Sequence, residues 1–264
     1  MDKFLYFALK TARIAGREIV KNLQKSHNVE YKSVKNPVTK IDKKIDAMIT
    51  RAIKKTYPSH EILSEELASD LRGNPKFLWV IDPIDGTINF MHKMPFVAVS
   101  IALVINRQIE IGVVYNPILK ELFYAESNSG AFLNNKKIHV SKIAKISNAL
   151  LSTGMQPIFG KKEIEIYENF CRAANAVRRL GSASIDLSYI ACGKLDGCFE
   201  IGLKPWDIAA GILIVKEAGG CVSNFSGKPL DFLRNGDIIA SNGKIHAQMI
   251  NIKPKRWRGG GASL

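Results

Sequence analysis

The longest unbroken apolar stretch of the chain, Met94 to Ile105, has 12 residues and contains Ser100. A membrane-spanning helix needs about 18–20 apolar residues, so no membrane association is expected and this run reads as a buried strand. Everything else is patterned at shorter range. Leu5, Leu9, Ala12, Ile19 and Leu23 share one helical face, as do Ile45, Met48, Ile49, Ala52 and Ile53. Two amphipathic helices, over 3–25 and 42–56, are therefore expected to open the chain. They are joined by a polar segment around Lys32 to Thr39, and Pro58-Ser59 stops the second. Strand-like runs follow at Glu61 to Leu63, Phe77 to Ile81, Phe96 to Ile105, Ile109 to Tyr115, Leu122 to Ala125 and Gly130 to Leu133.

Near residue 145 the texture changes to alternation. Residues 162–176, Ser184 to Cys192 and Trp206 to Ala218 read as helices, the last ended by Gly219-Gly220. Strands are expected at Val177 to Leu180, Gly197 to Ile201 and Ile238 to Ala240. The fold class is α/β, with helix and sheet stacked in layers. The expected organisation is an N-terminal α+β part over 1–145, a C-terminal α/β part over 146–252 that holds Asp207, and a flexible basic and Gly-rich tail over 253–264.

Charge is uneven. Residues 1–60 carry 14 Lys and Arg against 5 Asp and Glu, whereas the whole chain carries 38 against 24. Such a segment suits a polyanion or a protein partner, but solvated helix faces explain it as well. The sequence shows no aromatic residues interleaved among the cations in the way that base stacking needs. Nucleic acid is thus allowed but not expected. Asp2 and Lys3 lead into a stretch broken by Lys10, Arg13 and Arg17, which is no signal peptide, so a cytoplasmic protein is expected. The four cysteines form no C-x-x-C pair and are expected to be reduced and buried. No H-E-x-x-H or H-x-H pattern points to zinc. A P-loop and a Gly-x-Gly-x-x-Gly loop are also missing.

The informative residues are acids at element ends. Glu65-Glu66 follows one strand, Asp82 and Asp85 follow another in Asp82-Pro83-Ile84-Asp85-Gly86-Thr87, and Asp207 opens a helix. Sites in layered α/β proteins gather at strand ends. Clustered acids repel unless cations neutralise them, and oxygen-only ligands favour Mg²⁺ or Mn²⁺. Pro83 stiffens the loop so that Asp82 and Asp85 can face one point. Gly86-Thr87 then begins a helical turn whose free N–H groups suit a phosphate. Any one acid is explained by turn or cap chemistry. The three clusters together point to metal-assisted phosphoryl chemistry.

The run Trp79 to Phe90, WVIDPIDGTINF, resembles the first signature of the inositol monophosphatase family. Trp206-Asp207-Ile208-Ala209-Ala210-Gly211, followed by Glu217-Ala218-Gly219-Gly220, resembles the second. Gly112 to Pro117, Gly130 to Asn134, Val38-Thr39-x-x-Asp42 and Glu65-Glu66 fall in similar order, and the likeness covers roughly residues 3–245.

The resemblance implies an αβαβα sandwich, a homodimer, and lithium-sensitive, Mg²⁺-dependent hydrolysis of a phosphate monoester. It implies that Glu65, Asp82 and the Ile84 carbonyl hold one ion and that Asp82, Asp85 and Asp207 hold a second. A third, weaker ion would lie near Glu65. Thr87 and Glu65 would prepare the attacking water, and the amides of Gly86 and Thr87 would hold the phosphate. Gly181, Ser182, Ala183 and Glu200 would contact the alcohol part, and Asp85 and Asp207 would reach its hydroxyls. Lys32 and Asp42 would belong to a mobile loop that closes on the site. The substrate class is inositol monophosphate or a similar polyol phosphate. Relatives of this fold also cleave fructose 1,6-bisphosphate, NADP, histidinol phosphate or 3′-phosphoadenylates. A basic RNA- or protein-binding role is the reading from a different class. The chain departs from the family pattern at Asn36 and Ser64, which flank the expected site, and its segment Met155 to Lys162 falls where the family shapes the substrate mouth.

Overall fold

The computed structural model describes residues 2–25, 29–33, 36–67, 73–154, 160–234 and 236–252. The chain begins with α1 (Lys3–Asn22), whose first turn is capped by the Asp2 carboxylate accepting from the Phe4 amide at 2.8 Å. A hairpin of β1 (Val29–Ser33) and β2 (Asn36–Thr39) follows, where a polar connection was expected. Helix α2 (Lys40–Thr56) starts with a capping box: Thr39 is the N-cap, and the Asp42 carboxylate accepts from the Thr39 amide at 2.9 Å.

Then come β3 (Glu61–Ser64), β4 (Phe77–Asp85), the short helix α3 (Thr87–Met91), β5 (Ala98–Ile105), β6 (Gln108–Asn116), β7 (Glu121–Glu126), β8 (Ala131–Leu133) and β9 (Lys136–Ile138). These strands form a seven-stranded sheet in sequence order, with β3 and β4 parallel and the rest antiparallel. The β5–β6 hairpin turns on Asn106 and Arg107, both at positive φ.

The second half supplies β10 (Leu150–Ser152), α4 (Lys161–Ala173), β11 (Ala176–Arg178), α5 (Ala183–Ala191), β12 (Gly197–Glu200), α6 (Pro205–Glu217), β13 (Cys221–Ser223), β14 (Ile238–Ser241) and α7 (His246–Ile252). Its five-stranded sheet runs β11-β10-β12-β14-β13.

Helices α1 and α2 cover one face of the large sheet. Helices α5 and α6 fill the space between the two sheets, and α4 and α7 cover the far side of the small one. The order is helix, sheet, helix, sheet, helix: an αβαβα sandwich. The central helices are buried on both faces, as a layer between two sheets must be. Ser184 to Ala191 and Ile208 to Val215 are buried without interruption. One apolar cluster joins Val80, Ala102 and Val114 of the large sheet through Ile190 and Ile214 to Ala240 of the small one. A second lies under α1 and α2 around Trp79, Ile45 and Phe90, and a third under α4 and α7 around Phe170 and Phe199. Cys198 is buried as expected, but Cys171 is exposed on α4, so burial does not hold for all four thiols; all are free. No described helix is long and apolar enough to cross a membrane.

Candidate active site

Strand β4 carries the central device. In a regular strand residues 82 and 85 would point to opposite faces. Here Asp82 pairs with Ser100 and Asp85 with Ala98, so three steps on β4 match two on β5. The extra residue is a β-bulge, placed at Pro83-Ile84 where proline's missing N–H costs no ladder bond. Because Ser100 and Ala98 share a face, Asp82 and Asp85 do too.

Both acids are buried, Asp82 at 2% exposure and Asp85 at 8%. Burial raises the Asp82 carboxyl well above the usual range, and the negative charges of Glu65, Asp85, Asp207 and Asp42 raise it further. Asp207 is also pushed well up, by burial and then by Asp85 and, less, Glu65 and Glu200. It sits in the first turn of α6, where Pro205 occupies the first helical position and the Lys204 amide donates to its Oδ2 at 2.7 Å. Asp85 is raised by burial but gripped by donors: its Oδ2 accepts from Ser182 Oγ and from the Ser184 amide, each at 2.7 Å. These belong to the N-terminus of α5, whose dipole favours a carboxylate.

Thr87 bridges three elements. Its Oγ1 lies 3.1 Å from Asp42 Oδ1 and 3.1 Å from the Ile84 carbonyl. Gly86 precedes it at φ +92, and a Cβ there would fall 2.6 Å from the Phe96 carbonyl, so only glycine makes the turn. Asn89, one helical turn on, donates to the Phe96 and Leu180 carbonyls at 2.8 Å each. It locks α3 to the segment leading into α5. Glu200, at the end of β12, rests against Gly154: a Cβ there would lie 1.8 Å from its Oε1. Burial, then the charges of Asp186 and Asp85, push its carboxyl up to about 8.

Glu65, Asp82, Asp85, Asp207, Thr87 and Glu200 thus belong to one electrostatically linked neighbourhood. One expected placement needs correction. Asp42 is not in a mobile loop but buried in the first turn of α2, where it faces Thr87. Ser182 is buried, and its hydroxyl donates to Asp85. Gly181 is exposed and Ala183 half-buried beside it. Lys32 lies on β1, and segments 155–159 and 253–264 are outside the described residues. Ser64 is buried and hydrogen-bonds Asp46. Sequence reasoning missed the positioning roles of Asn89, Ser184 and Gly154. Only the motif containing Asn89 offered a signal.

Among the described residues, no three acid, His or Cys side chains stand drawn up as a finished ion cage. The donor set nevertheless fits hard divalent cations. It is all oxygen, Asp82 and Asp85 are buried with Glu65 and Asp207 half-buried, and the charges acting on Asp82 are those of other acids.

The family profile described as the inositol monophosphatase family matches residues 1–257. The chain belongs to that family. A Synechocystis inositol-1-monophosphatase is 43% identical over 253 residues, covering 94% of this chain and 88% of its own. The Haemophilus influenzae Nus factor SuhB is 40% identical over 260 residues, covering 96% and 97%. Among solved structures, the Thermotoga maritima IMPase superposes with a TM-score of 0.87 at 39% identity, covering 95% of this chain and 96% of that one. Inositol monophosphatase membership accounts for both signature runs and for the layered fold that brings Asp207 of α6 to the β4 bulge.

Proposed function

We propose that this chain is a Mg²⁺-dependent phosphomonoesterase acting on inositol monophosphate or a similar polyol phosphate. The observation that carries this is the β4 bulge, which turns Asp82 and Asp85 to one face beside Asp207 and Glu65. In the proposal Glu65, Asp82, Asp85, Asp207 and the Ile84 carbonyl hold two to three ions. Mg²⁺, or Mn²⁺ in its place, supplies charge neutralisation and acidifies a water when bound.

The chain's own residues do the rest. Thr87 donates its hydroxyl proton toward Asp42 and so keeps a lone pair for a water hydrogen, and Glu65 accepts the water's proton. The amides of Gly86 and Thr87 face the phosphate. Ser182 and Ser184 fix Asp85, so its second oxygen is aimed and not free to swing. Glu200, held by Gly154, faces the hydroxyls of the alcohol, with Gly181 and Ala183 beside it. A carboxyl there can hydrogen-bond hydroxyls and offers no cation for a second phosphate, which favours a monophosphate. Relatives of similar identity carry two kinds of name, a Nus factor and an inositol-1-monophosphatase, so the substrate reading rests on these side chains. The proposal includes a cytoplasmic homodimer.

Phosphate release should be measured from inositol 1-phosphate, glycerol 2-phosphate, fructose 1,6-bisphosphate, NADP, histidinol phosphate and a 3′-phosphoadenylate, with Mg²⁺, with chelator and with added Li⁺. Mg²⁺-dependent, Li⁺-sensitive release that favours the polyol monophosphates is expected. Preference for a bisphosphate or a nucleotide would overturn the substrate assignment.

A further inference from the structure

The two outer helices concentrate cations that the active site does not use. Helix α1 carries Lys3, Lys10, Arg13, Arg17 and Lys21, and α2 carries Lys40, Lys43, Lys44, Arg51, Lys54 and Lys55. All eleven are exposed. Against them the two helices hold three acids. Asp42 and Asp46 are buried. Glu18 lies between the helices, paired with Lys44 at 2.5 Å, and its carboxyl is lowered by Lys44 and, less, by Lys21 and Lys25.

General lysine richness does not explain this. Helix α4 is an outer helix of the same chain with the same amphipathic design, and its sequence KKEIEIYENFCRA has three cations and three acids. The excess is specific to one layer of the sandwich.

Its arrangement is specific too. Lys3, Tyr6, Lys10, Arg13, Arg17 and Lys21 are spaced by three or four residues, one stripe opposite the buried face of Leu5, Ala8, Ala12, Ala15 and Ile19. From Lys10 to Lys21 the stripe runs about 16 Å at 1.5 Å per residue, the rise of about five stacked nucleotides at 3.4 Å each. Tyr6 is 57% exposed and stands inside it. The sequence reading found no aromatic among the cations because it did not fix which face Tyr6 takes.

We propose that the outer face of α1 and α2 binds single-stranded nucleic acid, with the phosphates on the cation stripe and an unpaired base stacked on Tyr6. Charge complementarity selects a polyanion, and the exposed ring selects one with open bases. An anionic membrane fits less well. A surface-seeking helix needs a free apolar face to sink into lipid, and the apolar faces of α1 and α2 are spent on the core under Trp79 and Ile101.

The test uses the full chain and a fluorescent uridine dodecamer, followed by anisotropy at several salt concentrations. Binding at low salt should weaken linearly on a log–log plot, with about 0.7 of slope for each neutralised phosphate. Replacing Arg13, Arg17 and Lys21 together with Gln should reduce that slope by about 2. Tyr6→Ala should weaken the dodecamer about fivefold or more while sparing a duplex of the same length. The α4 control Lys161→Gln with Arg172→Gln should bind as the parent does, and all these variants should keep the parent's phosphatase activity and melting curve. The proposal is overturned by an undetectable or salt-insensitive complex or by unchanged binding of the triple variant. Equal Tyr6→Ala losses on strand and duplex would overturn it too, as would binding only to phosphatidylserine vesicles.

Discussion

Replacing Glu200 with Gln should flatten the pH dependence of stability in metal-free protein. The Glu200 carboxyl, ordinarily near 4.5, is pushed up to about 8. The cause is burial first, then the charges of Asp186 and Asp85, partly offset by the Gly154 amide and by Arg179. A folded-state value above the unfolded one means that the native protein holds a proton the unfolded chain has released. Stability therefore falls as pH rises from about 4.5 to about 8 and levels beyond. At 1.36 kcal/mol per pH unit, that interval is worth roughly 5 kcal/mol. Solvent at the half-open edge of Glu200 screens part of this, leaving about 3 kcal/mol. Gln keeps an acceptor for the Gly154 amide and cannot ionise. Urea unfolding in chelator at pH 5 and at pH 8.5 is the assay. The parent should lose about 3 kcal/mol more than Glu200→Gln over that interval, a difference that includes the relief of Asp207 from the Glu200 charge. Equal losses would refute the burial argument for Glu200.

Three further outcomes follow from the same contacts. Asp82→Asn removes the acid most crowded by like charges, so in chelator at pH 8 it should unfold at the same or higher urea concentration than the parent; a clear loss of stability would contradict the repulsion. Ser182→Ala takes a donor from Asp85, and a hydrogen bond to a charged group is worth about 1.5–3 kcal/mol. Its kcat/KM should fall about 10- to 100-fold with a higher Mg²⁺ requirement, Ser182→Thr should recover most of it, and unchanged Mg²⁺ dependence would show that Asp85 needs no such support. Gly112→Ala puts a Cβ 2.5 Å from the Ala210 carbonyl of α6, a backbone atom that cannot rotate away. It should cost about 1–3 kcal/mol in denaturant unfolding, and a neutral result would mean that α6 can lift from β6.

The local chemistry of the site was legible because it is contiguous. Asp82 to Thr87 spells a bulge, a left-handed glycine and a helix start within six residues. Helices α1 and α2 announced themselves by their apolar stripes. Helices α5 and α6 were found as helices, but their burial on every side erases the stripe that would have oriented them. Strands β9, β10 and β13 went unread. Each has three residues, too few for a period to show, and β10 exists only through partners distant in sequence: Leu151 pairs with Val177 of β11 and with Gly197 of β12. The capture of Asp85 by α5 was hidden for the same reason. Nearly a hundred positions separate Asp85 from Ser182, and only the layering of α5 beside β4 closes that gap. The family resemblance assigned Asp42 to a loop, although the apolar stripe over 42–56 already called for a helix there; the Thr39 capping box puts Asp42 in its first turn.

The central claim is that the acids around the β4 bulge hold the ions that cleave a phosphate monoester. The most direct test is steady-state phosphate release from inositol 1-phosphate across a Mg²⁺ titration, for the parent and for Asp85→Asn. The account predicts saturable Mg²⁺ dependence in the parent and a loss of at least about a thousandfold in a variant that unfolds like the parent in urea. Release that ignores Mg²⁺, or that survives in Asp85→Asn, would contradict it.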